Sequence, residues 1–213
     1  MIRKAGSVLV GRDSSEGLQL LVLERAASSR FLPGYVAFPG GAVEPQDEDL
    51  ARRWFGDPAE GSRACAVREL VEEVGLAITR SGIVDGLVPA ASSIEVVDPE
   101  PPSVAQLQQI ARWIAPEEVP VRFDALYFAA RAEDGLEPKA DGVEVSDAFW
   151  ITPTAMLEAW EAGRVKLYWP TYFTVRELRG CGSTEELLAM KIETREPDDE
   201  ELEYLHRSTF WQE

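Results

Sequence analysis

Short apolar runs rich in Val and Leu predict strands near Ala5–Val10 and Leu18–Glu24, and the polar, glycine-bearing text from Asp13 to Gly17 reads as the turn between them. Further strands are expected near Ile83–Ser92, Arg122–Ala130 and Val143–Ile151. Helical spacing predicts helices over Arg63–Val74, Ser103–Ile114 and Pro153–Ala162, the last with Thr152 as N-cap, and again from Thr171 to Lys191. Strands and helices interleaved in this order predict an α/β fold with a layered sheet. No internal repeat or linker interrupts the text, so 1–213 is expected to form one domain, ending in a helical extension from about residue 152.

The helix over Arg63–Val74 carries the most informative polar pattern. At about 100° per residue, Glu69, Glu72 and Glu73 fall within an arc of roughly 100°, while Leu70, Val71 and Val74 turn toward a core. Each like-charge pair at such spacing costs an isolated helix roughly 0.2–0.5 kcal/mol. A hard divalent cation with oxygen ligands would relieve that repulsion. The competing reading is a plain solvated face, because 38 of the 213 residues are acidic.

The surrounding residues decide between the two. Phe38-Pro39-Gly40-Gly41 and Arg68-Glu69-Leu70-Val71-Glu72-Glu73-Val74-Gly75-Leu76 together resemble the signature of Nudix hydrolases. Two departures stand out. Asp47 takes a position where that family has Glu, and twenty residues separate Asp47 from Arg68 where the family has seven, an insertion at about 48–63. Loops accept such lengthening because closure entropy grows only with the logarithm of length. The resemblance implies an α/β/α sandwich with a mixed sheet and additional C-terminal helices. It also implies hydrolysis of a diphosphate linkage by water activated on divalent ions, Mg²⁺ or Mn²⁺. By position, Glu69, Glu72, Glu73 and the Gly40 carbonyl would ligate metal, and Arg68 would orient the glutamates. Lewis-acid activation of water and neutralisation of leaving-group charge are the physical content of that chemistry. Glu144, in the acidic loop from Glu133 to Glu144 and six residues before Trp150, is the candidate general base.

Arg25-Ala26, Arg30, Gly34 and Phe38-Pro39-Gly40-Gly41 are similar in spacing to the signature of coenzyme A diphosphatases, although Leu23 stands where that signature usually has Thr. Trp113-Ile114-Ala115-Pro116, Pro120 to Phe128, Glu144 to Trp150 and Trp169-Pro170-Thr171 resemble the peroxisomal type of these enzymes, which also carry an insertion. Coenzyme A or an acyl derivative is therefore the expected substrate, with ADP-ribose or a dinucleotide as the alternative and a non-catalytic binding module as the third reading. Arg25, Arg30 and Arg122 are the candidate phosphate contacts, since a guanidinium can hold phosphate oxygens in pairs. Ordinary strand-end and loop arginines are the competing reading. Trp113, Phe123, Phe128 and Trp150 are expected in the core.

Composition narrows the partners. A formal charge of −17 repels nucleic acid polymers and anionic membranes, leaving a small-molecule diphosphate as the expected partner. The same field opposes an anionic substrate unless metal and arginines reverse its sign locally. Cys65 and Cys181 read as reduced structural thiols. His206, the only histidine, argues against a Ser-His-Asp hydrolase or a histidine-ligated zinc. The start Met1 to Gly6 lacks the apolar run of a signal peptide and the end is not of the Ser-Lys-Leu type, so cytoplasm is the expected compartment. Beyond the acidic stretch Glu196–Glu201, the aromatics from Tyr204 to Trp211 suggest a docking segment, with a homodimer as one way to bury it.

Overall fold

In the computed structural model, residues 2–86, 93–115 and 121–193 are described, together with Glu117, Asp198, Asp199 and Glu203. The element order is β1 (Arg3–Ser14), β2 (Gly17–Arg25), β3 (Tyr35–Ala37), β4 (Gly40–Ala42), α1 (Pro45–Phe55), α2 (Gly61–Val74), β5 (Leu76–Thr79), β6 (Gly82–Asp85), α3 (Ser93–Val97), β7 (Gln108–Ile114), β8 (Phe123–Arg131), β9 (Val145–Ile151), α4 (Pro153–Glu161), β10 (Lys166–Leu167), α5 (Trp169–Glu177) and α6 (Thr184–Ala189). The main sheet is mixed. Its strands run β10-β3-β2-β1-β8-β7, with β4 also on β1 and β9 also on β2. β1 lies parallel to β8 and antiparallel to β2 and β4, and the β1–β2 hairpin closes where Ser14 pairs with Gly17.

Alternation along the central strands builds the layers. Val8, Val10, Leu21 and Leu23 face one core with Leu50, Val67, Leu70 and Val74 of α1 and α2. Leu9, Leu20 and Val22 face the opposite core with Met156, Leu157, Phe173 and Val175 of α4 and α5. A strand buried on both faces reads as a continuous apolar run, and so these do. This is the α/β/α sandwich expected from the sequence. Close approach of α2 to the sheet depends on Gly6, where any Cβ would overlap the backbone carbonyl of Ser62.

Three expectations need correcting. Ser103–Ile114 is not a helix: a 3-10 turn at Val104–Gln106 leads into strand β7. A bulge between Gln109 and Ala111 leaves Ile110 and Ala111 both buried, which breaks the strand alternation and imitates helical spacing. The strand placed near Ile83–Ser92 is the four-residue β6, paired with β5 in a separate hairpin, and residues 87–92 lie outside the described set. The helical stretch Thr171–Lys191 is two helices, α5 and α6, separated at Gly180 and Gly182. Thr152 does cap α4, its Oγ1 accepting from the Ala155 amide.

The insertion is structured. α1 starts with Pro45 at its first turn and a reciprocal cap between Glu44 and Asp47, and it ends at Gly56 in the left-handed region with φ 78°. Its Trp54 donates to Asp98 beyond α3, and Arg53 pairs with the same carboxylate. The expected docking segment from Tyr204 to Trp211, with His206 and most of the acidic stretch, lies outside the described residues. Among the described residues, no helix is long and apolar enough to cross a membrane.

Candidate active site

A cavity of about 350 Å³ opens beside β4, between the N-terminal half of β1 and the glutamate helix α2. One end is charged: Glu69, Glu73, Arg25 and Glu144, with Gly40 and Gly41. The other end is aromatic: Phe31, Phe123, Tyr35 and Tyr168.

The charged end is held from several directions. Glu73 is almost fully buried, accepts the Gly40 amide at 2.9 Å and lies 3.9 Å from Arg25. Glu69 packs so closely on β4 that a Cβ on Gly41 would overlap its carboxylate. Arg68 is the hub. It pairs bidentately with buried Asp47 at 2.8 and 3.1 Å, and reaches Glu69 at 3.0 Å and Glu72 at 2.7 Å. Burial alone would lower its pKa, but the hydrogen bonds it donates to Asp47 and the charge of Glu69 raise it above the ordinary arginine value. Asp47 was legible only as a shortened box residue. In the fold it is the N-terminal cap partner of α1 and the anchor of Arg68 at once, so the inserted helix begins where the hub needs a carboxylate.

Burial pushes the Glu73 carboxyl up to about 8, with the charge of Glu69 adding to it, and the Gly40 amide and Arg25 opposing. Burial likewise lifts Glu69 to about 7 against the pull of Arg68. Two desolvated carboxylates facing one cavity form a site short of positive charge.

Arg25 also organises the aromatic end. Its Nε donates to the Phe31 carbonyl at 2.9 Å and its own carbonyl accepts the Gly34 amide, which closes the loop between β2 and β3. Leu32 in that loop takes φ 52°, a left-handed conformation unusual for a branched side chain. Phe31 then meets Phe123 and Tyr168 edge-on, at 6.1 Å in both cases.

A NUDIX domain model matches residues 2–169 of this chain. The chain belongs to the NUDIX family. A crystal structure of a NUDIX hydrolase from Alicyclobacillus acidocaldarius superposes with a TM-score of 0.78 at 29% identity, covering 91% of this chain and 98% of that one. Among curated relatives, a Caenorhabditis elegans protein provisionally named nudix hydrolase 7 is 26% identical over 189 residues, 83% of this chain and 60% of that protein. The peroxisomal coenzyme A diphosphatase ndx-8 of the same animal is 35% identical over 83 residues, 39% of this chain and 31% of that protein. The chain thus spans under two thirds of the length of either curated relative.

Within this NUDIX fold the sequence candidates separate. Glu69, Glu73, Gly40, Arg25 and Glu144 line the cavity. Glu72 and Arg68 stand behind it, joined to each other. Arg30 is exposed and Arg122 donates to the Ala115 carbonyl and lies 3.8 Å from Glu117; neither lines the cavity. Phe123, expected in the core, is a cavity wall, whereas Trp113 and Phe128 are core residues. Trp150 is half-buried under Arg12. Tyr127, with Ser7 and Thr171 as hydroxyl partners, forms a cavity wall that sequence reasoning missed, because its place opposite Ser7 comes from the parallel β1–β8 register. Cys65 and Cys181 are free thiols, Cys65 buried against the Gly41 carbonyl.

NUDIX hydrolases generally use divalent metal ions. Among the described residues, no three acidic, His or Cys side chains converge as a metal-binding group. The donor set still fits a hard cation: Glu69 and Glu73 offer carboxylate oxygens to one cavity, and burial, with their mutual repulsion, raises the pKa of both, a cost that a cation there would relieve.

Proposed function

We propose that this protein is a metal-dependent diphosphohydrolase acting on coenzyme A or an acyl-coenzyme A, releasing 3′,5′-ADP and (acyl) 4′-phosphopantetheine. The observation that carries this reading is the polarity of one cavity, acidic around Glu69 and Glu73 and aromatic around Phe31, Phe123 and Tyr168. A substrate with an anionic diphosphate on one side and flat or apolar groups on the other matches both ends. The Arg25 to Gly41 spacing and the partial similarity to a peroxisomal coenzyme A diphosphatase favour coenzyme A over other diphosphates.

In this reading Glu69, Glu73 and Glu72, with the Gly40 carbonyl, would hold Mg²⁺ or Mn²⁺, which would supply Lewis acidity and offset charge on the leaving phosphate. Arg68 fixes Glu69 and Glu72 and is itself fixed by Asp47. Arg25 offers its guanidinium to the diphosphate from the loop side, and Glu144 at the rim accepts the proton of the attacking water. The aromatic wall excludes water and sets the position of the organic half. Arg30 and Arg122 serve as outer phosphate contacts in the same scheme.

The test is product analysis by mass spectrometry after incubation with coenzyme A, ADP-ribose and NADH in the presence of manganese. Coenzyme A or an acyl derivative is the expected best substrate. A preference for ADP-ribose by about tenfold in kcat/KM, roughly 1.4 kcal/mol of transition-state binding, would replace the coenzyme A reading with the ADP-ribose one.

A further inference from the structure

Two cations edge the aromatic end of the cavity without an acid to neutralise them. The Arg3 guanidinium lies 5.6 Å from the ring centroid of Phe123, and the Lys166 ammonium 5.9 Å from that of Tyr35; both rings line the cavity. Both side chains belong to exposed residues, and neither has a carboxylate within 4.0 Å among the described residues. Other exposed cations, Lys4 and Arg30 among them, also have no carboxylate within 4.0 Å among the described residues; what distinguishes Arg3 and Lys166 is that each lies over a ring of the cavity wall.

The strand registers show how the two cations reach one cavity. Arg3 opens β1 opposite Phe123 of β8, and Lys166 in β10 pairs with Tyr35 of β3. Phe123 and Tyr35, the rings under the two cations, line the same cavity as Phe31 and Tyr168, and Phe31 meets both Phe123 and Tyr168. Farther along β1, Gly6 pairs with Gly41, the residue packed on Glu69. Gly6 is three steps along the strand from Arg3, roughly 10 Å at about 3.3 Å per residue. A nucleoside spans such a distance. A cation laid over an aromatic face keeps its charge toward solvent while its stem is held in place.

We propose that Arg3 and Lys166 bind a phosphomonoester on the half of the substrate that lies against the aromatic wall. The site then prefers substrates with a phosphate beyond the scissile diphosphate over the same molecules without it. This deepens the coenzyme A reading and rests on it for the identity of the substrate, but the cations themselves would select any nucleotide so substituted.

The test compares matched pairs, coenzyme A with 3′-dephospho-coenzyme A and NADPH with NADH, in the wild type and in the Arg3→Gln, Lys166→Gln double variant. Both positions are exposed, so the variant folds as the wild type does, checked by thermal melting. Wild type is expected to favour the phosphorylated member by roughly tenfold in kcat/KM, the worth of one strong charge-assisted contact, carried mainly in KM and weakened by salt. The double variant should treat the two members alike while retaining wild-type kcat/KM on the unphosphorylated one. Equal use of both members by the wild type, or a preference that survives in the double variant, overturns the proposal. If the coenzyme A pair is refused but NADPH is preferred over NADH, the substrate reading fails and the cation assignment stands. If neither pair is cleaved, calorimetric binding of 3′,5′-ADP against 5′-AMP decides: tighter binding of 3′,5′-ADP that the double variant loses supports the assignment, and equal binding removes it.

Discussion

The two ends of the cavity are built on opposite principles. At the aromatic end, Phe31, Phe123 and Tyr168 gather by apolar burial and edge-on ring contact, forces that favour the folded chain directly. At the acidic end, Glu69 and Glu73 are withdrawn from water beside one another, an arrangement that burial and like charge both oppose, as their raised pKa values register. The acidic end persists because the Asp47–Arg68 pair and the Gly40 amide hold it there. Stability and function therefore run together at one end of the cavity and against each other at the other.

The contrast is broken most forcefully at its hub. Arg68→Ala leaves Asp47, which has no exposed surface, as an uncompensated buried charge, and is expected to cost about 3–5 kcal/mol in urea denaturation. A loss below about 1 kcal/mol would mean that the acidic end stands without its hub.

Acidity gives a second handle of intermediate size. The folded carboxyls of Glu73 and Glu69 sit at about 8 and about 7, above the 4.5 of a free glutamate. Between these values the metal-free folded protein retains protons that the unfolded chain has released. Their contribution to stability is thus complete below about pH 4.5 and is lost as pH rises through 7 to 8. A fall on the order of 1–3 kcal/mol between pH 5 and pH 8.5 is expected for the metal-free protein. Stability that is flat or rises over that range would show that the two carboxylates are ionised without strain.

The aromatic end should answer with the smallest effect on stability. Phe31→Leu removes two ring contacts and should lower stability by about 1 kcal/mol, raise KM severalfold and leave kcat nearly unchanged, since such binding serves ground and transition states alike. A collapse of kcat with KM unchanged would place Phe31 in the chemistry instead.

The acidic end was more legible in the sequence than the aromatic one, for a physical reason. Glu69, Glu72 and Glu73 lie within five residues on one helix, so their common face follows from helical geometry alone. Phe31, Phe123 and Tyr168 come from a loop, a strand start and a helix cap, and meet only through the sheet order β10-β3-β2-β1-β8. Even on α2 the sequence missed the inequality of the glutamates, with Glu72 half in solvent at 46% and Glu73 at 6%, because burial depends on β4 packing over the helix. Pro45, the Glu44 and Asp47 cap and Gly56 marked α1 in the text, but the stretch was read only as a loop lengthening. β7 was misread because its bulge gives Leu107, Ile110 and Ala111 the spacing of a helix.

The most direct measurement is the thermal and urea stability of wild type and Glu73→Gln with and without Mg²⁺ or Mn²⁺ at pH 8. The glutamine keeps an oxygen for the Gly40 amide while removing the charge. Metal-free Glu73→Gln should equal or exceed wild type in stability, by up to about 1 kcal/mol. Added metal should stabilise wild type by about 2.7 kcal/mol at one hundred times its dissociation constant, a gain the variant largely loses together with activity. Equal metal-induced shifts in both proteins, with activity retained in the variant, would contradict the assignment of Glu73 to the metal and with it the account of the acidic end.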